Sequence, residues 1–166
     1  MTLTNSSKEQ IACQGARSLV ELLSNLDGRA ASLQALYNLS CFAENATILT
    51  DSAVLPALTE ILFENQVVSL ALKALAASII ANIVMSPGHW ELASADKAGH
   101  PLQSESIISS FLGLLLLASP PCQLSVLQIL YRIASSPQAS GNFCHINITF
   151  TLFCRKNKLP FPLELD

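Results

Sequence analysis

Three stretches of the chain repeat one pattern: RAASLQALYNLSCF (29–42), LAASIIANIVMS (75–86) and CQLSVLQILYRIASS (122–136). In each, Leu, Ile, Val and Ala recur at helical spacing, with three or four apolar positions every two turns. Aligned on Asn38, the second stretch places Asn82 and the third Arg132 at the equivalent position, 44 and then 50 residues further on. A second apolar segment precedes each: ARSLVELLSN (16–25), AVLPALTEILFEN (53–65) and SIISSFLGLLLLAS (106–119). An amphipathic helix pair cannot bury its apolar face alone. Repeated with a period in the forties, it predicts an all-α helical solenoid in which each unit covers the next.

The breaking residues sit between those helices. Asn25-Leu26-Asp27-Gly28 combines a capping residue with a glycine free to take positive φ. Pro56 stands near the start of its helix, where a missing N–H costs nothing, and Ser119-Pro120 reads as an N-cap followed by proline at the first helical position. Ser86-Pro87-Gly88 and Ser135-Ser136-Pro137 close two of the long helices. The polar stretch 89–104 lengthens one unit, replacing its short first helix with a loop, and accounts for the spacing of 50. The array is expected over 8–140, in units of about 8–25, 26–65, 66–119 and 120–140. Residues 141–166 lose the helical period and read as an irregular tail outside it.

Composition removes several classes. Hydrophobic residues make up 51% and charged residues 13% of the 166, which excludes a disordered, self-repelling chain. A net charge of −3 and 6% aromatic residues argue against nucleic acid as a partner. The N-terminus, MTLTNSSKEQ, has no apolar secretory core, and the most apolar run, 107–118, is too short for the roughly twenty residues of a membrane span. Five scattered cysteines with no C-x-x-C pair read as reduced, mostly buried thiols in a cytosolic or nuclear compartment, with Cys13 and Cys41 on apolar helix faces. Mean hydropathy is +0.44. An array truncated at both ends, with two apolar faces open, offers one cause and makes self-association through those ends an open alternative.

The residues also carry a family resemblance. Gly15-Ala16-Arg17-Ser18-Leu19-Val20-Glu21-Leu22-Leu23 and, more closely, Ala53-Val54-Leu55-Pro56-Ala57-Leu58-Thr59-Glu60-Ile61-Leu62 resemble the armadillo second-helix signature G-A-x-P-x-L-V-x-L-L. Ala35-Leu36-Tyr37-Asn38-Leu39-Ser40 resembles its third-helix A-L-x-N-L-[AS]. The stretches from Ala76 to Val84 and from Val126 to Pro137 are similar to the C-terminal armadillo arrays of plant U-box E3 ubiquitin ligases. The resemblance implies an armadillo-like solenoid of about three repeats that binds a substrate or regulator in a ubiquitin pathway. No U-box pattern is visible in 1–166, so ubiquitin transfer would belong to a partner or a longer form. A truncated splice fragment without independent activity is the alternative, suggested by the change of character near Ser140.

In that family the third helices line a groove. Here they carry polar pairs one turn apart: Gln34/Asn38, Ser78/Asn82 and Gln128/Arg132. Asn and Gln both donate and accept, as the backbone of an extended peptide requires. Any half-exposed helix face carries polar residues as well, so the two readings stand side by side. The importin-type tryptophan is replaced by Gln34, Ser78 and Gln128, which disfavours nuclear-localisation signals as ligands. Trp90 lies in the loop, either as a partner anchor or, preferentially, packed on a neighbouring helix.

No catalytic motif accompanies His89, His100 or His145, and six glycines provide no phosphate cradle. Cys144, His145 and Cys154 match no standard zinc spacing, although an enzyme or metal protein built on that tail is a rival reading. Arg155, Lys156 and Lys158 read as solvating charges. No cofactor and no metal is expected, and the chain is read as a protein-binding module rather than an enzyme.

Overall fold

The computed structural model describes residues 5–64, 68–115 and 117–136, with side chains from residue 12 onward. The helices are α1 (Asn5–Leu22), α2 (Leu26–Ser40), α3 (Ala46–Asp51), α4 (Val54–Phe63), α5 (Leu70–Met85), α6 (Glu105–Leu115) and α7 (Pro120–Ala134). Short 3-10 turns span Ala43–Asn45 and Trp90–Leu92. The described residues form no strand, only an isolated bridge between Ser94 and Pro101. The fold is all-α. No single helix among these residues is long and apolar enough to cross a membrane.

Three of the four long helices, α2, α5 and α7, form the frame and are the long helices meant below; the fourth, α1, packs at one end. α5 packs against both α2 and α7, while α4 packs on α5, α6 on α7, and α1 on α2, α3 and α4. Equivalent positions face the core throughout: Leu36, Ile80 and Leu130 are each 0% exposed, and Ser32, Ala76 and Val126 are buried with them. Both triples keep the 44- and 50-residue offsets of the sequence repeat. Phe63 and Phe111 meet edge to face at 5.2 Å, joining α4 to α6.

A second feature repeats in the same register. The last carbonyls of a helix have no partner inside it. Here the fourth residue of α2, of α5 and of α7 supplies one. Arg29 Nε donates to Leu23 O at 2.8 Å, just past the end of α1. Lys73 Nζ donates to Glu64 O at 2.7 Å, past the end of α4, and Gln123 Nε2 to Leu115 O at 3.0 Å, at the end of α6. Each long helix is thereby fastened to the helix before it.

Local signals and structure agree at several ends. Asn25 caps α2 by accepting from Asp27 N at 3.0 Å, Ser69 caps α5 from Leu72 N at 3.3 Å, and Pro120 opens α7 behind Ser119. Elsewhere the boundaries differ from the sequence reading. Gly28 lies within the first turn of α2, because Asn25 already supplies the cap and the break falls at 23–25. α1 continues through Gly15. The six-residue α3 is too short to leave a periodic signal. Ala53, at the position of the signature glycine, takes the left-handed conformation with φ 57 that normally favours glycine. Tail residues 141–166, with Cys144, His145, Cys154 and the cations Arg155, Lys156 and Lys158, lie outside the described residues.

The stretch 86–104 is a loop, and it is pinned down. Trp90, Ala95 and Leu102 are buried. Thr59 Oγ1 in α4 donates to Ala95 O, Lys97 reaches Glu60 at 2.6 Å, and His89 Nε2 meets Asp51 Oδ1 at 3.0 Å. Asp96 accepts from His100 N at 2.8 Å and pairs with His100 Nδ1 at 2.7 Å.

Candidate partner-binding face

One row of positions runs across the three long helices: Ala30, Gln34 and Asn38 on α2; Ala74, Ser78 and Asn82 on α5; Leu124, Gln128 and Arg132 on α7. Within each helix the positions are four apart, hence on one side. The α2 members are all exposed, the α5 members half-buried, and on α7 Leu124 and Gln128 are exposed. α5 is more covered because it packs between two neighbours.

The six polar members do different things. Gln34 Nε2 donates to Asn38 Oδ1 at 3.2 Å, a pairing within α2 that leaves both amides at the surface. Asn82 Nδ2 donates across to Ser40 Oγ of α2 at 2.9 Å, and Ser40 Oγ donates on to Tyr37 O at 2.8 Å. Ser78 Oγ donates to Ala74 O at 2.9 Å and lies 3.0 Å from Ser125 Oγ of α7. Arg132 Nε donates to Val84 O, near the end of α5, at 3.0 Å, and its guanidinium carbon lies 5.7 Å from the Trp90 ring centroid. Ser78, Asn82 and Arg132 therefore join helices, whereas Gln34, Asn38 and Gln128 stand at the surface.

Of the two readings of Trp90, packing holds and the partner anchor does not. A partner can grip an indole only where it is accessible, and Trp90 is 1% exposed, with its ring under Arg132. The loop is polar along its length, but its one tryptophan turns inward because its large apolar area is worth burying. Cys41 also departs from the sequence reading. It is exposed beyond the last turn of α2, while Cys13 is half-buried and Cys122 buried. Burial pushes the Cys122 thiol up, against the opposing pull of the Lys73 charge.

Sequence reasoning missed the partners Ser40 and Ser125, and it missed the fourth-position donors Arg29, Lys73 and Gln123. The signal for the donors was available: from 29 to 73 is 44 residues and from 73 to 123 is 50, the same offsets that align the apolar positions. His89 meets the exposed Asp51 and His100 the half-buried Asp96, and no hydroxyl or thiol lies within hydrogen-bond distance of either ring among the described residues. Among those residues no three His, Cys, Asp or Glu side chains gather as a metal-binding group. His145 lies outside them.

Comparison with known proteins places this framework among relatives. No protein-family model matches the chain, and no solved structure does. U-box domain-containing protein 43 of Arabidopsis thaliana is 31% identical over 147 residues, 86% of this chain and 18% of the relative. Putative U-box domain-containing protein 42 of the same plant is 27% identical over 86% of this chain and 14% of its own length. U-box domain-containing protein 44 is 31% identical over 83% of this chain and 17% of its own. The chain is thus a relative of plant U-box domain-containing proteins over most of its length, and it spans less than a fifth of theirs.

Proposed function

We propose that the chain is a protein-recognition module: an armadillo-like helical array that holds an extended segment of a partner across α2, α5 and α7. The observation that carries this reading is the row of surface amides, Gln34, Asn38 and Gln128, on long helices kept in one register. Amide side chains offer a donor and an acceptor each, which suits a peptide backbone lying across the helices. By its relatives, the module serves a ubiquitin-ligase pathway, recognising a substrate or regulator while transfer chemistry is done elsewhere. The fourth-position fastenings support the array reading, because a solenoid needs each unit joined to the next in the same way.

The test is a triple variant, Gln34→Ala with Asn38→Ala and Gln128→Ala, used as bait beside the wild type. Partner proteins should be depleted on the variant while its helical melt is unchanged. Recovery of the same proteins at the same yield would remove this reading. A second reading, self-association through the end built by α1, α2 and α3, is favoured by an apolar cleft of about 370 Å³ lined by Ala12, Ala16, Leu19, Leu39 and Ile48. Phe42, 57% exposed, follows on the same end. A mass that rises with concentration would support it, and a constant monomer mass would contradict it.

A further inference from the structure

The row across α2, α5 and α7 contains a single charged residue, Arg132. Its guanidinium is held at two points, by the bond from Nε to Val84 O and by the Trp90 ring beneath it. Because Trp90 is buried, that ring is a fixed support. An arginine has five N–H donors, and the four on the terminal nitrogens of Arg132 meet no carboxylate or other acceptor among the described residues. Arg132 is half-buried, like Ser78 and Asn82, so part of its side chain remains at the surface.

The surrounding charges sharpen the point. Asp27 is the only carboxylate on the three long helices, and it lies eleven residues before Asn38, about 16 Å along the α2 axis. The other two cations on these helices are already engaged: Arg29 with Leu23 O and Glu64, Lys73 with Glu64 O. A planar, oriented guanidinium with free paired donors matches a carboxylate in a two-point arrangement.

We propose that Arg132 is the anchor for an acidic side chain, so that the partner segment is neutral to acidic and presents an Asp or Glu where it crosses α7. This deepens the groove reading and rests on it. A lysine- or arginine-rich segment is excluded by the same geometry, since the row offers it no carboxylate and one repelling cation. Glu or Asp is favoured because its two oxygens accept from two N–H groups at once.

The experiment uses the full chain and three pools of fluorescein-labelled twelve-residue peptides, randomised over uncharged residues around a central Asp, Asn or Lys. Anisotropy titration at low salt should rank Asp above Asn above Lys, with Asp about three- to five-fold tighter than Asn, as befits one half-exposed ion pair. The preference should shrink as salt is raised. Arg132→Gln should erase the Asp-over-Asn difference and leave Asn-pool binding in place, whereas Arg132→Lys should keep part of it. Equal affinity for the Asp and Asn pools, or a difference that survives in Arg132→Gln, would overturn the acidic anchor and leave the groove standing. Binding of no pool to the wild type would overturn both. The wild-type ranking and its salt dependence decide the matter even if Arg132→Gln fails to fold.

Discussion

α2 and α7 both pack on α5, yet they are joined to it differently. The α2 joint has one side-chain bond, Asn82 to Ser40, and leaves Gln34 and Asn38 paired with each other at the surface. The α7 joint has the Ser78–Ser125 pair, the Arg132–Val84 bond and the stacking of Arg132 on Trp90. One register position is therefore Asn38 at the surface, Asn82 across a joint, and Arg132 both in a joint and partly open. A repeated helix fixes where a side chain stands, but its neighbours decide whether it binds inward or remains free for a partner.

The largest effect should come from the helix the two joints share. Ile80→Ala removes a fully buried side chain from α5 and should cost about 2–5 kcal/mol in urea unfolding. One cooperative transition is expected. Two separate transitions would show that the α2 and α7 sides do not depend on each other through α5.

The register position itself gives a graded series. Arg132→Met keeps an apolar stem but loses the carbonyl bond and the cation–π contact, so roughly 1–3 kcal/mol should be lost. Asn82→Ala should cost about 1 kcal/mol, because Ser40 keeps its bond to Tyr37 O. Asn38→Ala should change stability by less than about 0.5 kcal/mol, being an exposed surface change. Equal losses at all three positions would erase the contrast between the joints.

The fourth-position fastenings should resemble one another. Arg29→Ala, Lys73→Ala and Gln123→Ala should each cost about 0.5–1.5 kcal/mol by thermal melts, the worth of one bond to a helix-end carbonyl. A loss at one site alone would mean that the three are not equivalent joints.

The smallest effect is local and depends on pH. The hydrogen bond from the His100 side chain, then that from its backbone, holds the Asp96 carboxyl below its usual range. A folded pKa below the unfolded one gives a contribution that is present above the unfolded value and lost as pH falls through the folded one. Protection factors for amide exchange at Ala95 and His100, taken against the intrinsic rate at each pH, should therefore hold at neutral pH and fall only below about pH 4. Asp96→Asn should remove that acid dependence.

Much of the frame was legible in the sequence because long amphipathic helices write their period into it. The 44- and 50-residue offsets located α2, α5 and α7, and in the folded chain the same offsets relate the core residues Leu36, Ile80 and Leu130. Six-residue α3 was not legible, since a turn and a half of helix is too short for periodicity to be distinguished from chance. The candidate face was half legible. Spacing placed Ser78 and Asn82 on one side of α5, but Ser40 and Ser125, which hold them, belong to other helices and come close only when the chain folds. Of the two readings of Trp90 the preferred one, inward packing, holds, since an indole in a polar loop has more apolar area to bury than its neighbours.

The most direct measurement places a photo-crosslinking residue at Gln34, at Gln128 or, as a control on the loop, at Lys97, whose side chain is 75% exposed. Each variant is irradiated in an extract of the source tissue, and the covalent partners are identified by mass spectrometry. The same partner captured from Gln34 and Gln128, and absent from Lys97, is the result expected of a segment lying across α2, α5 and α7. Capture from Lys97 with none from Gln34 or Gln128 would contradict a binding face on the long helices.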